Sequence, residues 1–333
     1  MQQVRPILAD VKTKGDAALI EYTQKFDQIT LTQDTIRVSE QEITEALAAT
    51  SSAYQASVKR AISNLQRYHE KQRPKNYEID FPYGGGYLGR KWEPLESVGL
   101  YVPGGRAPYL TACYMLGVPA QLAGCKRRVM CVPPERKSGK VNPQILVSAA
   151  LSGISEIYKI GGAQAIGAMA YGTETIKPVR KIFGPGNVYV TAAKLLTFGV
   201  VDIDMPAGPS EALIIADESA NPAYVAADLM SQAEHDLESA ALLVTTDASL
   251  VPKVKAEIER QISTLKRAEI IKQALTKFGA IIVCPDLEVA VEIANDYAPE
   301  HIQILTKNPR PLAAQIKNSW HCLYWECHSH CER

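Results

Sequence analysis

The sequence predicts two α/β domains, each with a parallel β-sheet between layers of helices. From residue 98 onward, short β-branched runs alternate with helical stretches, which is the pattern of successive βαβ units. The alternation forms two series, separated by a Pro- and Gly-containing loop near residue 206. With 333 residues, the chain also exceeds the size at which one hydrophobic core usually divides.

The elements follow in order along the chain. Residues 1–75 show helical spacing of apolar residues, and residues 76–97 show the pattern of extended, solvent-facing strands. The first α/β series predicts strands at 98–102, 128–132, 156–160 and 181–183, with helices near 108–121, 143–152 and from 162. The second series predicts strands at 211–215, 241–246, 280–284 and 302–306, with helices near 222–239, 250–263 and 286–296.

These elements are expected to group into two domains. We expect residues 1–98 and 207–317 to form the first α/β domain, which includes the N-terminal helices, and residues 99–206 to form the second. Residues 1–26 mix apolar and charged positions throughout, so they predict an amphipathic helix rather than a signal peptide. Because the helical pattern is already present at the first residue, we expect further residues upstream.

Composition argues against several classes of function. The 36 basic and 36 acidic residues balance, so no basic field exists to hold a phosphate backbone, and we expect no nucleic-acid partner. No apolar run reaches the roughly 18 residues of a membrane span, so we expect no membrane partner. Several cysteines in apolar surroundings are expected to be buried free thiols, which indicates a reducing compartment and a cytoplasmic protein: Cys113, Cys125, Cys131 and Cys284.

Three glycine-rich turns, at 103–105, 161–164 and 184–187, follow predicted strands. Open α/β sheets bind ligands at the carboxyl ends of their strands, and the next helix N-terminus favours an anion such as a pyrophosphate. Amides at Gln164 and Asn187 can contact a ribose or a carboxamide. We therefore predict a dinucleotide site at these turns. None of them matches G-x-G-x-x-G, so the site lacks the usual fingerprint. The alternative is three ordinary strand-to-helix turns.

The sequence predicts a helix that carries Gln232 and His235. Asn221 is a good N-cap for this helix, and Pro222 occupies its first position. At i, i+3 spacing these two side chains share a face. Amide oxygen and imidazole nitrogen are both plausible ligands for Zn²⁺, although a site needs at least two more ligands from elsewhere. The alternative is a surface glutamine beside a histidine that caps a neighbouring element.

Glu300 and His301 follow Pro299 at the start of a predicted strand. Neighbours on a strand point to opposite faces, so both serve one site only if the turn is irregular. We expect Pro299 to favour such a turn by restricting Ala298 to extended geometry. A carboxylate and an imidazole together could activate water and shuttle a proton, whereas the alternative is a loop ion pair. The preceding loop near 205–209 could also contact substrate through nearby polar residues: Asp202, Asp204, Ser210 and Glu211.

Six segments together resemble the histidinol dehydrogenase family, in the expected order and over about residues 4–318. They are V-G-L-Y-V-P-G-G (98–105), I-G-G-A-Q-A-I (160–166), F-G-P-G-N (183–187), D-M-P-A-G-P-S-E (204–211), S-Q-A-E-H (231–235) and Y-A-P-E-H (297–301). The resemblance implies two Rossmann-like, aldehyde-dehydrogenase-like domains. It also implies a homodimer with a shared active site and oxidation of L-histidinol to L-histidine via L-histidinal with two NAD⁺.

The resemblance also implies roles for particular residues. Gln232 and His235 would ligate a zinc ion that anchors the substrate, and both would thereby contact L-histidinol. Glu300 would activate the water that attacks the aldehyde-level intermediate, while His301 would accept a proton and contact substrate. Ser210 would contact substrate as well. The residues that would hold NAD are Tyr101, Gln164 and Asn187.

Residues 318–333 depart from the family pattern and form an aberrant tail with no helical or strand period. Family members continue beyond this point with an aspartate zinc ligand, a substrate-binding glutamate and a histidine zinc ligand from the partner chain, none of which can be matched here. We therefore expect a C-terminally truncated chain with little activity. The tail suggests a frameshift after Asn318, because a shifted frame can encode a small-residue strand and a G-N-x-T-P turn. The alternative is a zinc-binding tail built from Cys322, Cys327, His328, His330 and Cys331.

Three further interpretations compete with an active histidinol dehydrogenase. A zinc hydrolase that uses Glu300 as its base would need no nucleotide, and it leaves the glycine-rich turns unexplained. A catalytically inactive remnant would share the ancestry without the activity. A thiol-dependent aldehyde dehydrogenase would need a cysteine beside an activating group, whereas Cys113 is expected to pack a helix.

Overall fold

The computed structural model describes residues 1–104, 109–206, 208 and 210–324. The chain divides into two compact units, Met1–Ala207 and Gly208–Arg333. Each unit contains a parallel sheet, as the alternating pattern predicted, although each sheet has five strands where the pattern predicted four. Within the described ranges, no helix is long and apolar enough to span a bilayer.

The first unit contains two sheets surrounded by helices. Its helices are α1 (Val4–Lys14), α2 (Asp16–Asp27), α3 (Gln33–Ile36), α4 (Glu40–Ala49), α5 (Ser52–His69), α6 (Leu110–Leu122), α7 (Pro143–Leu151), α8 (Gly162–Tyr171) and α9 (Val188–Thr197). Its strands are β1 (Tyr77–Asp80), β2 (Tyr87–Arg90), β3 (Ser97–Tyr101), β4 (Arg127–Cys131), β5 (Glu156–Tyr158), β6 (Lys181–Phe183) and β7 (Asp202–Ile203).

The main sheet of the first unit has the strand order β5-β4-β3-β6-β7, with all neighbours parallel. The chain runs outward from β3 to β5 and then crosses back to β6, which places the topological switch point between β3 and β6. Strands β1 and β2 form a separate antiparallel hairpin in which every strand residue is exposed, as the sequence predicted for this region.

The N-terminal helices pack on the first sheet's own helices. Helix α1 contacts α8, and α4 contacts α7. A methyl group at Gly167 of α8 would lie 3.1 Å from a Leu8 side-chain atom and 3.3 Å from Val11, so the small residue lets α1 approach closely. This packing differs from the predicted grouping of residues 1–98 with 207–317, because the apolar face of α1 is buried in the first unit's core.

The second unit is built on five parallel strands. They are β8 (Glu211–Ala216), β9 (Ala240–Thr245), β10 (Gly279–Val283), β11 (His301–Leu305) and β12 (His321–Tyr324), in the order β10-β9-β8-β11-β12. The helices are α10 (Pro222–Ala233), α11 (Leu250–Ile262), α12 (Ala268–Phe278), α13 (Leu287–Tyr297) and α14 (Pro309–Ala313). Apolar residues of β8, β9 and β11 fill the core on both faces of the sheet.

The structure corrects the expectation that the tail has no strand. Residues His321–Tyr324 form β12, an exposed edge strand that pairs in parallel with β11. The backbone of His321 donates to the carbonyl oxygen of Glu300 at 3.1 Å, and such backbone pairing needs no alternation of side chains. The remaining tail cysteines and histidines, at 327, 328, 330 and 331, lie outside the described residues.

A buried ion pair joins α4 to the residue after β5. Lys159 Nζ lies 2.7 Å from a Glu42 carboxylate oxygen, and both side chains are largely buried. Burial alone would raise the pKa of Glu42, but hydrogen bonds from Lys159 and from Ser39 hold it below its ordinary value. A lowered pKa in the folded state means that the pair stabilises the fold while the carboxyl group is ionised.

Acidification is therefore expected to weaken the fold through Glu42. The contribution is complete above the ordinary pKa of 4.5 and is lost as the pH falls through the lowered folded-state pKa. Urea unfolding at a series of pH values should show a shallower acid limb for Glu42→Gln than for the native chain. Glu45→Gln, which removes the exposed partner of Lys140 on the same helix, is the control. Equal acid limbs for the native chain and Glu42→Gln would contradict this role.

Candidate dinucleotide and substrate sites

The predicted glycine-rich turns at 161–164 and 184–187 follow β5 and β6 at the carboxyl edge of the first unit's sheet, and residues 103–104 of the third follow β3 at the same edge. Gly105 lies outside the described residues. Tyr101, the last residue of β3, is buried, and its hydroxyl accepts a hydrogen bond from the backbone N–H of Gly162 at 3.0 Å. Burial raises the pKa of Tyr101 to about 12, so the phenol stays protonated. Tyr101 thus joins the end of β3 to the turn that begins α8.

Gln164 lies in the first turn of α8 and is almost fully buried. Its Oε1 has no hydrogen-bond partner among the described residues. An unsatisfied buried amide costs free energy, so the carbonyl is placed to accept from a donor on a bound molecule. This geometry suits the predicted contact with a hydroxyl or carboxamide group.

Asn187 is the N-cap of α9. Its Oδ1 accepts hydrogen bonds from the backbone N–H groups of Tyr189 at 3.0 Å and Val190 at 3.1 Å. The capping role occupies the side-chain oxygen, while the exposed residue leaves its amide NH₂ available to a ligand. The sequence predicts an amide ligand at this turn but does not predict that the same side chain caps α9.

The turn after β6 is held by a charged pair that sequence reasoning missed. The backbone N–H of Gly184 donates to Asp204 Oδ2 at 2.7 Å, and Lys194 Nζ donates to the Gly184 carbonyl oxygen at 3.0 Å. Lys194 is buried and also pairs with Asp204. Because its carboxylate fixes the Gly184 peptide, Asp204 shapes this turn. The sequence feature that could have predicted this pair is the single lysine within the apolar stretch of α9.

The backbone at position 184 requires glycine. Its φ is 128°, and a Cβ atom at this position would lie 2.1 Å from the carbonyl oxygen of Tyr101. Only glycine lets the ends of β3 and β6 meet this closely at the switch point.

Gln232 lies in the last turn of α10 and is buried, and its Nε2 has no hydrogen-bond partner among the described residues. The structure corrects the position of His235. The helix ends at Ala233, so His235 lies in the exposed turn after it, where its backbone N–H donates to the Gln232 carbonyl oxygen at 3.2 Å. Its polar neighbours Asp236 and Ser239 fold this turn through their own hydrogen bonds, which ends the helix early.

Glu300 and His301 lie at the start of β11, where the two side chains approach to 3.7 Å between Glu300 Oε1 and His301 Nε2. The expectation of an extended Ala298 is wrong. Ala298 adopts the left-handed conformation, with φ 53° and ψ 55°, and is the C-cap of α13. The abrupt change of direction comes from this helix end, and it brings the two neighbouring side chains together despite the alternation of the strand.

Histidines gather around His301. Its ring centroid lies 5.1 Å from that of His321, its in-register neighbour on β12. Burial lowers the pKa of His301; Glu300 opposes this shift, while His321 and His235 add to it. The imidazole is therefore neutral near pH 7 and able to accept a proton.

The substrate candidates of the second unit share the amino edge of its sheet. Ser210 directly precedes β8, the strand that pairs with β11, and its carbonyl oxygen accepts from the backbone N–H of Ala240 at 3.1 Å. Glu211 begins β8. Asp202, by contrast, lies in the first unit and pairs with Lys181 at 2.9 Å. Ala207 and Pro209 of the connecting loop lie outside the described residues.

Few side chains that could ligate a metal lie close together in the described part of the chain. No group of three His, Cys, Asp and Glu side chains among the described residues is arranged to hold a metal ion. An amide oxygen and an imidazole nitrogen are both donors that zinc accepts, so the residue types at Gln232 and His235 fit zinc, and the imidazole is exposed.

The cysteines confirm their predicted burial. Cys113, Cys125, Cys131 and Cys284 are buried free thiols. Burial raises the pKa of every one of them, and that of Cys113 reaches about 12. Such thiols are poor nucleophiles, which argues against a thiol-dependent mechanism at these positions.

Comparison with known proteins gives a consistent result. The family model for histidinol dehydrogenase matches residues 1–322. The histidinol dehydrogenase of Clostridium acetobutylicum is 48% identical over 319 residues, covering 96% of this chain and 73% of the relative. That of Heliobacterium mobile is 49% identical over 314 residues, covering 94% of this chain and 73% of the relative.

Solved structures agree. The crystal structure of histidinol dehydrogenase from Elizabethkingia anophelis matches with a TM-score of 0.93 and 44% identity, covering 98% of this chain and 74% of that chain. The putative aldehyde dehydrogenase PutA from Anabaena variabilis matches with a TM-score of 0.50 and 13% identity, covering 97% of this chain and 82% of that chain. This second likeness shows an aldehyde-dehydrogenase-like fold.

Proposed function

The chain belongs to the histidinol dehydrogenase family, and from that premise we propose that it oxidises L-histidinol to L-histidine through L-histidinal with two NAD⁺. The observation that carries the proposal is the approach of Glu300 and His301 to 3.7 Å beside Ser210, at the amino edge of the second unit's sheet. Each oxidation removes a hydride and a proton, and the second also requires the addition of water.

The two side chains at this edge suit those proton transfers. A neutral His301 accepts the proton that the substrate hydroxyl releases, since its pKa is lowered by burial. Glu300 takes a proton from the water that adds to the aldehyde carbon. Ser210 directly precedes the neighbouring strand β8, in which Ala212 is in register with His301, and it would orient the same substrate.

The cofactors follow from the donor groups. Gln232 and His235 would supply two of the ligands of a Zn²⁺ ion, which would anchor L-histidinol. Tyr101, Gln164 and Asn187 would contact NAD, which accepts the hydride. The unsatisfied Gln164 Oε1 supports a ligand that offers a hydrogen-bond donor at this edge, such as a ribose hydroxyl or a carboxamide. Four buried free thiols support a cytoplasmic location.

The direct test is to incubate the full chain with zinc, L-histidinol and NAD⁺ and to measure the NADH and the histidine that form. In keeping with the expectation from the sequence, we expect low activity, with two NADH for each histidine formed. Gln232→Ala should lower zinc retained after dialysis, while Gln273→Ala, which changes an exposed glutamine, should retain it. Absence of histidinol-dependent NADH from zinc-loaded, folded protein would contradict the proposed function, as would hydrolase activity without nucleotide.

We also propose that the chain forms a homodimer through the β1–β2 hairpin. An isolated two-stranded hairpin is marginally stable in water, and this one exposes large apolar side chains that a second copy would cover. They are Tyr77, Ile79, Phe81, Tyr83, Tyr87, Leu88 and Trp92. Sedimentation velocity should show a dimer that Leu88→Glu shifts toward monomer, whereas Leu265→Glu, outside the hairpin, should not. A native chain that sediments as a monomer at all concentrations would contradict the proposal.

A further inference from the structure

Asp27 is an unexplained carboxylate at the carboxyl edge of the first unit's sheet. It is the last residue of α2, and it is half-buried. Among the described residues, its side chain makes no hydrogen bond and no ion pair within 4 Å. A helix C-terminus carries partial negative charge, so an acid there is unfavourable on two counts, burial and the helix dipole. Burial accordingly raises the pKa of Asp27, although Arg136 opposes the shift.

Contacts place this end of α2 over the end of β4. Arg136, in the loop after β4, donates from Nη2 to the carbonyl oxygen of Phe26 at 3.0 Å. A Cβ on Gly139 in the same loop would lie 3.5 Å from Ile29. Asp27 is also close enough to Tyr101 to contribute to its raised pKa, after burial and the effects of Gly162 and Cys131. The free carboxylate therefore lies beside the turns at which NAD is proposed to bind.

The strand order explains why a carboxylate is useful there. The order β5-β4-β3-β6-β7 is the 3-2-1-4-5 order of dinucleotide-binding sheets. In that arrangement an acid near the end of the second strand, here β4, accepts hydrogen bonds from a ribose diol. Glu135 occupies this position in sequence, but its carboxylate oxygens already accept from Ser138 and from Asn142. Asp27 brings a free carboxylate to the same end of β4 from another element.

We propose that Asp27 accepts hydrogen bonds from the 2′- and 3′-hydroxyls of the adenosine ribose and thereby selects NAD over NADP. This inference rests on the proposed use of NAD. A phosphate on the 2′-oxygen would remove one donor and place a second negative charge against the carboxylate. Arg136 is the nearby cation that would favour that phosphate once Asp27 no longer offsets its charge.

The test is fluorescence titration of the full chain with NADH and with NADPH. The native chain should bind NADH more tightly than NADPH. Asp27→Asn should weaken NADH binding about tenfold and tighten NADPH binding, because a hydrogen bond to a charged acceptor and a charge repulsion are both lost. Asp27→Glu should retain part of the preference. Asp34→Asn removes the same charge from an exposed site on α3, so it controls for long-range electrostatics.

Thermal unfolding separates binding from folding. Removal of a desolvated carboxylate without a partner should leave the melting temperature unchanged or raise it. If the native chain binds NADH while Asp27→Asn and Asp34→Asn show the same NADH-to-NADPH ratio, the inference is overturned. It is also overturned if Asp27→Asn melts at a lower temperature and loses both nucleotides equally. If the folded native chain binds neither nucleotide, the proposed use of NAD itself fails.

Discussion

Replacement of Glu300 by glutamine is expected to lower the rate of histidine formation by about 10²–10⁴-fold, the usual contribution of a general base. The amide is isosteric but cannot take a proton from water. Since hydride removal from the alcohol does not need that water, L-histidinal should still form. The measurement is product analysis, in which semicarbazide traps the aldehyde while histidine and NADH are quantified.

The matched control for Glu300 is Glu292→Gln, an exposed acid on the preceding helix α13. It should turn over at the native rate, and both variants should bind NADH as the native chain does. Histidine production by Glu300→Gln at the native rate would show that another group activates the water. Equal loss of aldehyde and acid would instead place Glu300 in the first oxidation.

Substitution of alanine for Gly184 is expected to destabilise the first unit by at least about 3 kcal/mol and to abolish NADH binding. The methyl group would meet the Tyr101 carbonyl oxygen at 2.1 Å, and it would do so at a φ of 128°. Relief of the clash must separate β3 from β6, since the contact is with backbone. Urea unfolding measures the first effect and nucleotide fluorescence the second.

Gly199→Ala isolates the steric part of this effect. Gly199 also has a positive φ, 98°, but no heavy atom lies within 4 Å of a Cβ built there. Its substitution should therefore cost only about 1 kcal/mol of backbone strain and leave NADH binding intact. If the two alanine variants unfolded at the same urea concentration, the close approach of Gly184 to Tyr101 would not be what the fold depends on.

The sequence predicts the two sheets well because their strands are short, β-branched and separated by helical periods. The same pattern locates the turns at 161–164 and 184–187, since glycine marks places where the backbone must turn or approach closely. It does not predict which sheet the N-terminal helices cover. The amphipathic pattern of α1 shows that one face of the helix is buried, but it does not show which of several apolar surfaces covers that face.

Three local features could not be predicted from the residue pattern either, two in the second unit and one in the first. Polar hydrogen bonds in the turn 234–239 end α10 at Ala233, before the last residues that fit the helical period. Ala298 takes a left-handed conformation that residue type argues against, because the end of α13 and the start of β11 fix its position. Lys194 pairs with Asp204 across ten residues of sequence, a contact that no spacing rule for a helix or strand would suggest.

The edge strand β12 has a consequence for how the protein behaves at high concentration. In the described part of the chain β12 pairs only with β11, so one row of its backbone N–H and C=O groups faces solvent. All four of its residues are exposed, and Leu323 and Tyr324 are apolar. An uncharged, exposed edge is a template on which another chain can add a strand. We therefore expect intermolecular sheet growth, and hence aggregation, to begin at this strand.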